Sequence, residues 1–343
     1  MAGGAAAPLA PIVRRKETRA LTSPILDREV PAVATAVPSA AATPPRPRRT
    51  GRRTQASYRL APVLYTVVVV VLFALFFLWP GALGVFYSFT DYRGVGSPDL
   101  IGISNYQELL ADPDFWASLG RTALYTLLSV PLGYVLSLGL ASLLVNANAR
   151  GSVPAKIIFF IPWLVSPIVT GVIWRWMFGE NFGFINFVIE AAGGSAVPWS
   201  SNGDLSLAVV VFASAWGGAA FNMLLFIAAI KNVPSSYYEA AALDGANPWQ
   251  RFVHITLPGI APTSFLVILL STINSMKEFA MIQALNEGGP GTQNRLIVQY
   301  IYETGFERAE VGYASAASMV LMVLLLAIAL VQLGFERRKK DAS

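Results

Sequence analysis

The chain of 343 residues contains one histidine, His254, and no cysteine. Thiolate nucleophiles, disulfides and cysteine metal sites are therefore excluded, and a histidine-based metal site or proton relay would lack its second member. No Ser/His pairing and no His-Glu-x-x-His stretch occurs. The nearest approach to a phosphate-binding loop, Gly288-Gly289-Pro290-Gly291, lacks the lysine that such a loop needs. What remains are hydroxyls, amides and one carboxylate inside apolar sequence. Ser271, Asn274, Ser275 and Glu278 recur at intervals of three or four, the spacing of one helical face, with Lys277 beside them. Ser214, Trp216, Gly217, Gly218, Phe221 and Asn222 combine hydrogen-bonding groups, aromatic rings and two glycines that permit close approach. Such a set can bind and pass a polar solute without breaking a bond in it; the alternative use of Ser, Gly and Asn in apolar helices is packing and hydrogen bonding between helices.

These residues need a setting, and the composition supplies it. With 55% hydrophobic and 13% charged residues and a mean hydropathy of +0.54, the chain is too apolar for a soluble protein of this length. A bilayer core requires about 20 mostly apolar residues per helix. Six stretches qualify, at about 60–88, 121–145, 155–178, 205–230, 260–284 and 312–335. The expected fold is all-α, a polytopic bundle of six transmembrane helices. Pro162, Pro167 and Gly171 lie in the third span, where neighbouring helices would have to satisfy the freed backbone groups.

The net charge of +5 is no sign of nucleic-acid binding, because the cations flank the spans. Eleven of the 25 Lys+Arg precede Leu60, and Arg337, Arg338, Lys339 and Lys340 follow the last span. Placing 1–59, 146–156, 231–258 and 336–343 inside assigns 19 of them to the cytoplasm, against Arg93, Arg295 and Arg308 in the segments outside. The asymmetry predicts both termini in the cytoplasm. Residues 1–57 are rich in Ala, Pro, Thr and Arg without periodicity, which predicts a disordered cytoplasmic tail rather than a cleavable signal. Residues 58–343 form the membrane domain.

One inside loop is unusually structured. Ser236 and Glu239 have the spacing of a capping box, so a short helix is expected from about Tyr237. Asp244-Gly245 would end it, Asn247 would cap a second short helix with Pro248 in its first turn, and Pro258 would terminate that one near Thr256. The small run Ala240, Ala241, Ala242 allows a partner to approach, with Glu239 at its edge. A docking knob, a helix resting on lipid headgroups and a local cap all fit these residues.

Glu239-Ala240-Ala241, Asp244-Gly245-Ala246 and Ile255-x-Leu257-Pro258 resemble the EAA-x-x-x-G-(x9)-I-x-L-P signature of permease subunits of bacterial binding-protein-dependent ABC importers. The stretches "GISNYQELLADPDFWASLGRTALYT", "FGFINFVIE" and "GGPGTQNRLIVQYIYETGFERAEVGYASA" extend the likeness to the maltose-type carbohydrate branch, from about residue 60 to the end. The resemblance implies that loop 231–258 is a coupling helix seated on a separate ATPase, with Glu239, Ala240, Ala241, Asp244, Gly245, Ala246, Leu257 and Pro258 at the contact. It implies two ATP-binding cassette subunits that hold ATP and Mg, a second homologous permease, an extracytoplasmic solute-binding protein and a bacterial inner-membrane location. It also implies that the fourth and fifth spans form a sugar site from Ser214, Gly218, Phe221, Asn222, Ser271, Asn274, Ser275 and Glu278. No cofactor is expected in this chain. A stand-alone secondary transporter or channel, an importer of another solute and a membrane-embedded enzyme are the competing classes.

Overall fold

Residues 55–146 and 152–341 are described by a computed structural model. The tail predicted over 1–57 falls almost wholly outside these residues. The described chain starts in α1 (Gln55–Phe73), which continues through a π-helical turn, Ala74–Leu78, into α2 (Trp79–Tyr87). Every residue from Val67 to Phe73 is exposed. An apolar helix with no buried side requires an apolar surrounding, lipid or another subunit.

A short α3 (Ser104–Ala111) then leads into α4 (Pro113–Asn146). After α4 come α5 (Ser152–Leu164), α6 (Pro167–Met177), a short α7 (Phe184–Ala191) and α8 (Gly203–Lys231). Helices α4 and α8 form the centre of the bundle. Ala213, Ala215, Ala219 and Ala220 of α8 are buried, and a Cβ on Gly133 of α4 would lie 3.9 Å from the Ala215 Cα. Small residues bring the two backbones together, as membrane helices require in the absence of a hydrophobic drive between them.

Beyond α8 the chain forms α9 (Ser235–Leu243), α10 (Pro248–Arg251), a π-helical turn Phe252–Thr256, α11 (Leu257–Gly259) and α12 (Ala261–Met276). It continues with α13 (Ala280–Leu285), α14 (Ile297–Tyr302), a π-helical turn Glu303–Glu307 and α15 (Val311–Asp341). Four helices are long and apolar enough to span a bilayer, and two bent pairs bring the number to six if each counts as one span. The expected bundle is thus present; the first bent pair lies within the predicted third span, and the second joins the end of loop 231–258 to the fifth.

The third span is two helices at 99°. Pro167 removes an amide, and the Ser166 side chain accepts from the Val169 amide to start a new helix, so the chain turns instead of kinking. The fifth span stops at Met276 and restarts at Ala280. Glu278 sits in that break and accepts from the Phe279 and Met281 amides at 3.2 and 3.1 Å, serving the start of α13. The distal halves of the two broken spans, α6 and α13, pack against each other at Gly171, where an added Cβ would meet the Met281 carbonyl and lie 2.8 Å from the Ala284 Cβ.

Arg295, counted above among the outer loop cations, is buried. It pairs with Asp114 at 3.2 Å and Glu303 at 3.1 Å, donates to the Ser118 hydroxyl and lies over the Tyr300 ring. Nearby, Asp112 accepts from the hydroxyls of Tyr300 and Tyr313. Burial there favours the neutral carboxyl, but these bonds and backbone amides outweigh it and hold Asp112 below the usual carboxylate range. Replacing Arg295 by Met would strand Glu303 without its cation and is expected to cost about 2 kcal/mol, since its partners keep some contact with water. A lower inactivation temperature of the detergent-solubilised protein, relative to an Asp114→Asn control, checks this.

A candidate docking knob and solute path

At the end of α8, the segment from α9 to α11 forms a helix, an elbow and a second helix. α9 begins at Ser235, two residues earlier than expected. Pro234 occupies the N-cap with an extended ψ of 131° and no side-chain cap bond, so Ser236 lies inside the helix and the capping box with Glu239 does not form. The elbow is as expected. Asp244 closes the helix and Gly245 has a φ of +79°, the left-handed region that favours glycine. Asn247 caps α10 with Pro248 in the first turn, and Gln250 returns the bond to the Asn247 amide at 2.8 Å.

Pro258 does not end the second helix, which runs to Gly259 before bending 70° into α12. The π-helical turn ahead of it, closed by the Leu257 amide on the Phe252 carbonyl, widens the backbone where the proline ring would otherwise press on the preceding turn.

The knob has an anchored base and a free tip. Phe252, Leu257 and Val233 pack on the cluster that contains Phe226, Ile230 and Ile260. Tyr238 bonds Thr256 at 3.0 Å and the Arg251 guanidinium donates to the Ala246 carbonyl at 2.8 Å. His254 is exposed, and its Nδ1 meets the Gln250 carbonyl, a local contact within the helix. At the tip Leu243 is 90% and Trp249 70% exposed. Glu239, Ala240, Asp244, Gly245 and Pro258 are also exposed, whereas Ala241, Ala246 and Leu257 are half-buried. Leu243 and Trp249 are missing from the sequence-based set. Their signal was available, as large apolar side chains in an otherwise polar loop.

The proposed path residues divide. Ser214 is turned into the bundle, bonded to the Tyr125 hydroxyl and the Val210 carbonyl. Ser275 is buried and bonds Thr126 of α4 at 3.0 Å. Both therefore hold helices together. Glu278 lies beyond the end of α12 and does not extend its polar face. The remaining five stay accessible: Asn222 donates to Ser271 at 3.3 Å, Asn274 is exposed, Phe221 stacks on Trp163 with centroids 4.8 Å apart, and Gly218 is open. A Cβ added at Gly217 or Gly218 would meet nothing within 4 Å. These two glycines are not packing the described chain; they border open space. Trp163, near the end of α5, enters the site through its stack on Phe221, a contact between remote segments that no local signal placed.

At the opposite end of α8 from the knob, loop 179–202 is closed by two polar clamps. Asn186 uses its amide on the Glu180 and Val197 carbonyls and accepts from the Trp199 indole at 2.8 Å. The Glu180 carboxylate accepts from the Ser201 hydroxyl and amide and from the Ser200 amide, which hold its pKa at about 2 against an ordinary 4.5. Because the folded value is depressed, this clamp contributes fully above pH 4.5 and is lost as the pH falls toward 2. Protection of the Ser200 and Ser201 amides from hydrogen exchange, corrected for intrinsic rates, is expected to decline over that window and to be low at every pH in Glu180→Gln.

A bundle of continuous and broken membrane helices with an exposed helical knob between two spans is the architecture expected of a transport permease. The comparisons with known proteins agree. Residues 129–341 match the family described as binding-protein-dependent transport system inner membrane component, and this chain belongs to that family. The sn-glycerol-3-phosphate transport system permease protein UgpA of Yersinia pestis is 32% identical over 282 residues, 81% of this chain and 94% of the relative. The sulfoquinovosyl glycerol transport system permease protein SmoG of Agrobacterium fabrum is 31% identical over 283 residues, 82% of this chain and 92% of the relative. A chain of a bacterial alginate ABC transporter, solved with an alginate pentasaccharide-bound periplasmic protein, superposes with a TM-score of 0.73 at 23% identity, over 83% of this chain and 98% of that one. This last likeness shows the fold.

Proposed function

We propose that the chain is one half of the membrane pathway of an ATP-driven importer for a sugar or sugar derivative in the bacterial cytoplasmic membrane, with both termini and the α9–α11 knob on the cytoplasmic side. The observation that carries the reading is the knob itself: a rigid base fixed to α8 and α12, and a tip that leaves Leu243 and Trp249 in the open. Two ATP-binding cassette subunits supply the ATP and Mg sites, and one of them receives the tip. A second, homologous permease completes the pathway, and an extracytoplasmic binding protein delivers the solute to the end of α8 that carries loop 179–202. Closure of the ATPase pair on ATP then pushes the knob, and the bundle alternates between inward and outward openings. Each step requires a partner with different affinities for the two conformations.

The solute class is supported by the two relatives whose names state glycerol phosphate and sulfoquinovosyl glycerol and by the accessible group Asn222, Ser271, Asn274 and Phe221. Hydroxyls find amide and hydroxyl partners there, and an aromatic ring offers a face. The test is purification of the tagged chain from its native membranes, followed by reconstitution. Co-purification of an ATPase, with ATP-dependent uptake that requires the binding protein, is the expected result. Purification of the chain alone with solute movement in the absence of ATP would assign it to secondary carriers.

A further inference from the structure

Aromatic rings on three elements form a file that starts in the loop after α7 and ends at the open flank of α8. The Trp199 and Phe178 rings meet edge to face with centroids 5.0 Å apart, Phe178 stacks on Trp174 at 5.4 Å, and Trp174 meets Trp216 at 6.1 Å. Trp199, Phe178 and Trp174 each bear on the buried cluster around Val210 and Ile282, yet they also line an open cavity of about 760 Å³. Trp216 is 40% exposed and precedes Gly217 and Gly218, the two glycines that border open space. Five residues further along α8, about 140° round the helix from Trp216, Phe221 forms a stacked pair with Trp163. The rim of the cavity carries Asn181 and the exposed Arg175–Glu287 ion pair at 3.2 Å.

Resting on the sugar reading above, we propose that Trp199, Phe178, Trp174 and Trp216 are a stacking track that passes a pyranose from the outer cavity to the open flank beside Gly217 and Gly218. The axial C–H groups of a pyranose ring present an apolar, weakly positive face, which the negative face of an indole or phenyl ring attracts. Hydroxyls at the edge of the same sugar can bond to Arg175, Glu287 and Asn181 while its face stays on the rings. Successive aromatic faces are individually weak sites. A path must bind well enough to admit its solute and weakly enough to release it to the next site, and a file of rings spaced by about one ring width meets both conditions. Residues that only sealed the core would be covered, whereas Trp216 and the cavity faces of the other three are open. A lipid tail or a helix of the second permease could occupy the same flank, and both are outcomes of the test.

The experiment uses the complete complex in proteoliposomes with its binding protein. The ring-bearing probes are radiolabelled maltose, methyl α-D-glucopyranoside and sulfoquinovosyl glycerol, and the ringless probe is sn-glycerol 3-phosphate. Trp216→Leu is the primary variant, because Trp216 makes a single ring contact in the file; Trp174→Leu is the second, and Trp216→Tyr and Trp174→Tyr keep an aromatic face. The expected result is an initial import rate of a ring-bearing probe reduced about tenfold in the Leu variants and retained in the Tyr variants. Binding-protein-stimulated ATP hydrolysis should be unchanged throughout. Import at the wild-type rate in both Leu variants would overturn the track, leave the sugar reading intact and assign the face to lipid. Loss of the second permease or of ATP hydrolysis in Trp216→Leu would overturn it in favour of a subunit contact. Wild-type import of the ringless probe alone would overturn the track together with a pyranose as solute.

Discussion

Leu243→Asp is expected to leave the permease abundant and folded but to weaken its hold on the ATPase about thirtyfold. Leu243 is 90% exposed, so the change removes no internal contact and should alter stability by no more than about 0.5 kcal/mol. An exposed apolar anchor that enters a partner's pocket typically carries about 2 kcal/mol of binding, which converts to the stated factor. Gly245→Val tests the same knob through its backbone. Nothing lies within 4 Å of an added Cβ, so sterics against neighbours play no part. The cost comes from the φ of +79°, a conformation that disfavours an ordinary L residue by about 1–2 kcal/mol and a β-branched one by more. The elbow would relax toward negative φ and swing α9 against α10. Both variants should lose ATP-dependent import and co-purifying ATPase while the permease itself stays in the membrane. Wild-type import in both would remove the knob from the coupling role proposed for it.

Gly171→Leu is expected to act on the bundle instead of a partner. α6 and α13 approach so closely at Gly171 that a Cβ would collide with the Met281 carbonyl and crowd the Ala284 Cβ and the Leu285 amide. Two of these three obstacles are backbone atoms, which cannot rotate away as a side-chain end can. Overpacking of this kind costs about 3 kcal/mol, and the helices affected are the ones already detached from their spans by the breaks at Ser166 and Glu278. The permease should accumulate at a small fraction of the wild-type level and inactivate at a lower temperature. Gly171→Ala should show the same defect in milder form. Gly218→Leu, where the added atoms meet open space, should accumulate normally and fail only in import. This contrast separates a glycine that packs helices from one that borders a path.

What the sequence determined by itself are the features set by residues a few positions apart. The apolar stretches mark the spans, since an apolar helix long enough for a bilayer is visible in composition alone. Gly245 at the elbow and Asn247 with Pro248 at the start of α10 were equally readable, because caps and left-handed residues answer to local backbone chemistry. Ser236 and Glu239 show the limit of that reading: the spacing of a capping box was present, but the extended backbone at Pro234 had already started the helix.

Only the tertiary structure decided which polar groups face a path and which are spent on packing. Ser214 and Ser275 share the helical spacing of their accessible neighbours, yet Tyr125 and Thr126 of α4 take them up from 89 and 149 residues away. Arg295 counted as a loop cation until Ser118 and Asp114, remote in the chain, enclosed it. The third span breaks at Pro167, and whether a proline kinks a helix or ends it depends on what can satisfy the freed amides, here the Ser166 side chain. In the fifth span, with no proline at the break, Glu278 serves the amides of the restarted α13. The file from Trp199 to Trp216 joins rings from a loop, α6 and α8. Periodicity reports which face of one helix is polar or aromatic, and it carries no information on which face of another helix will lie against it.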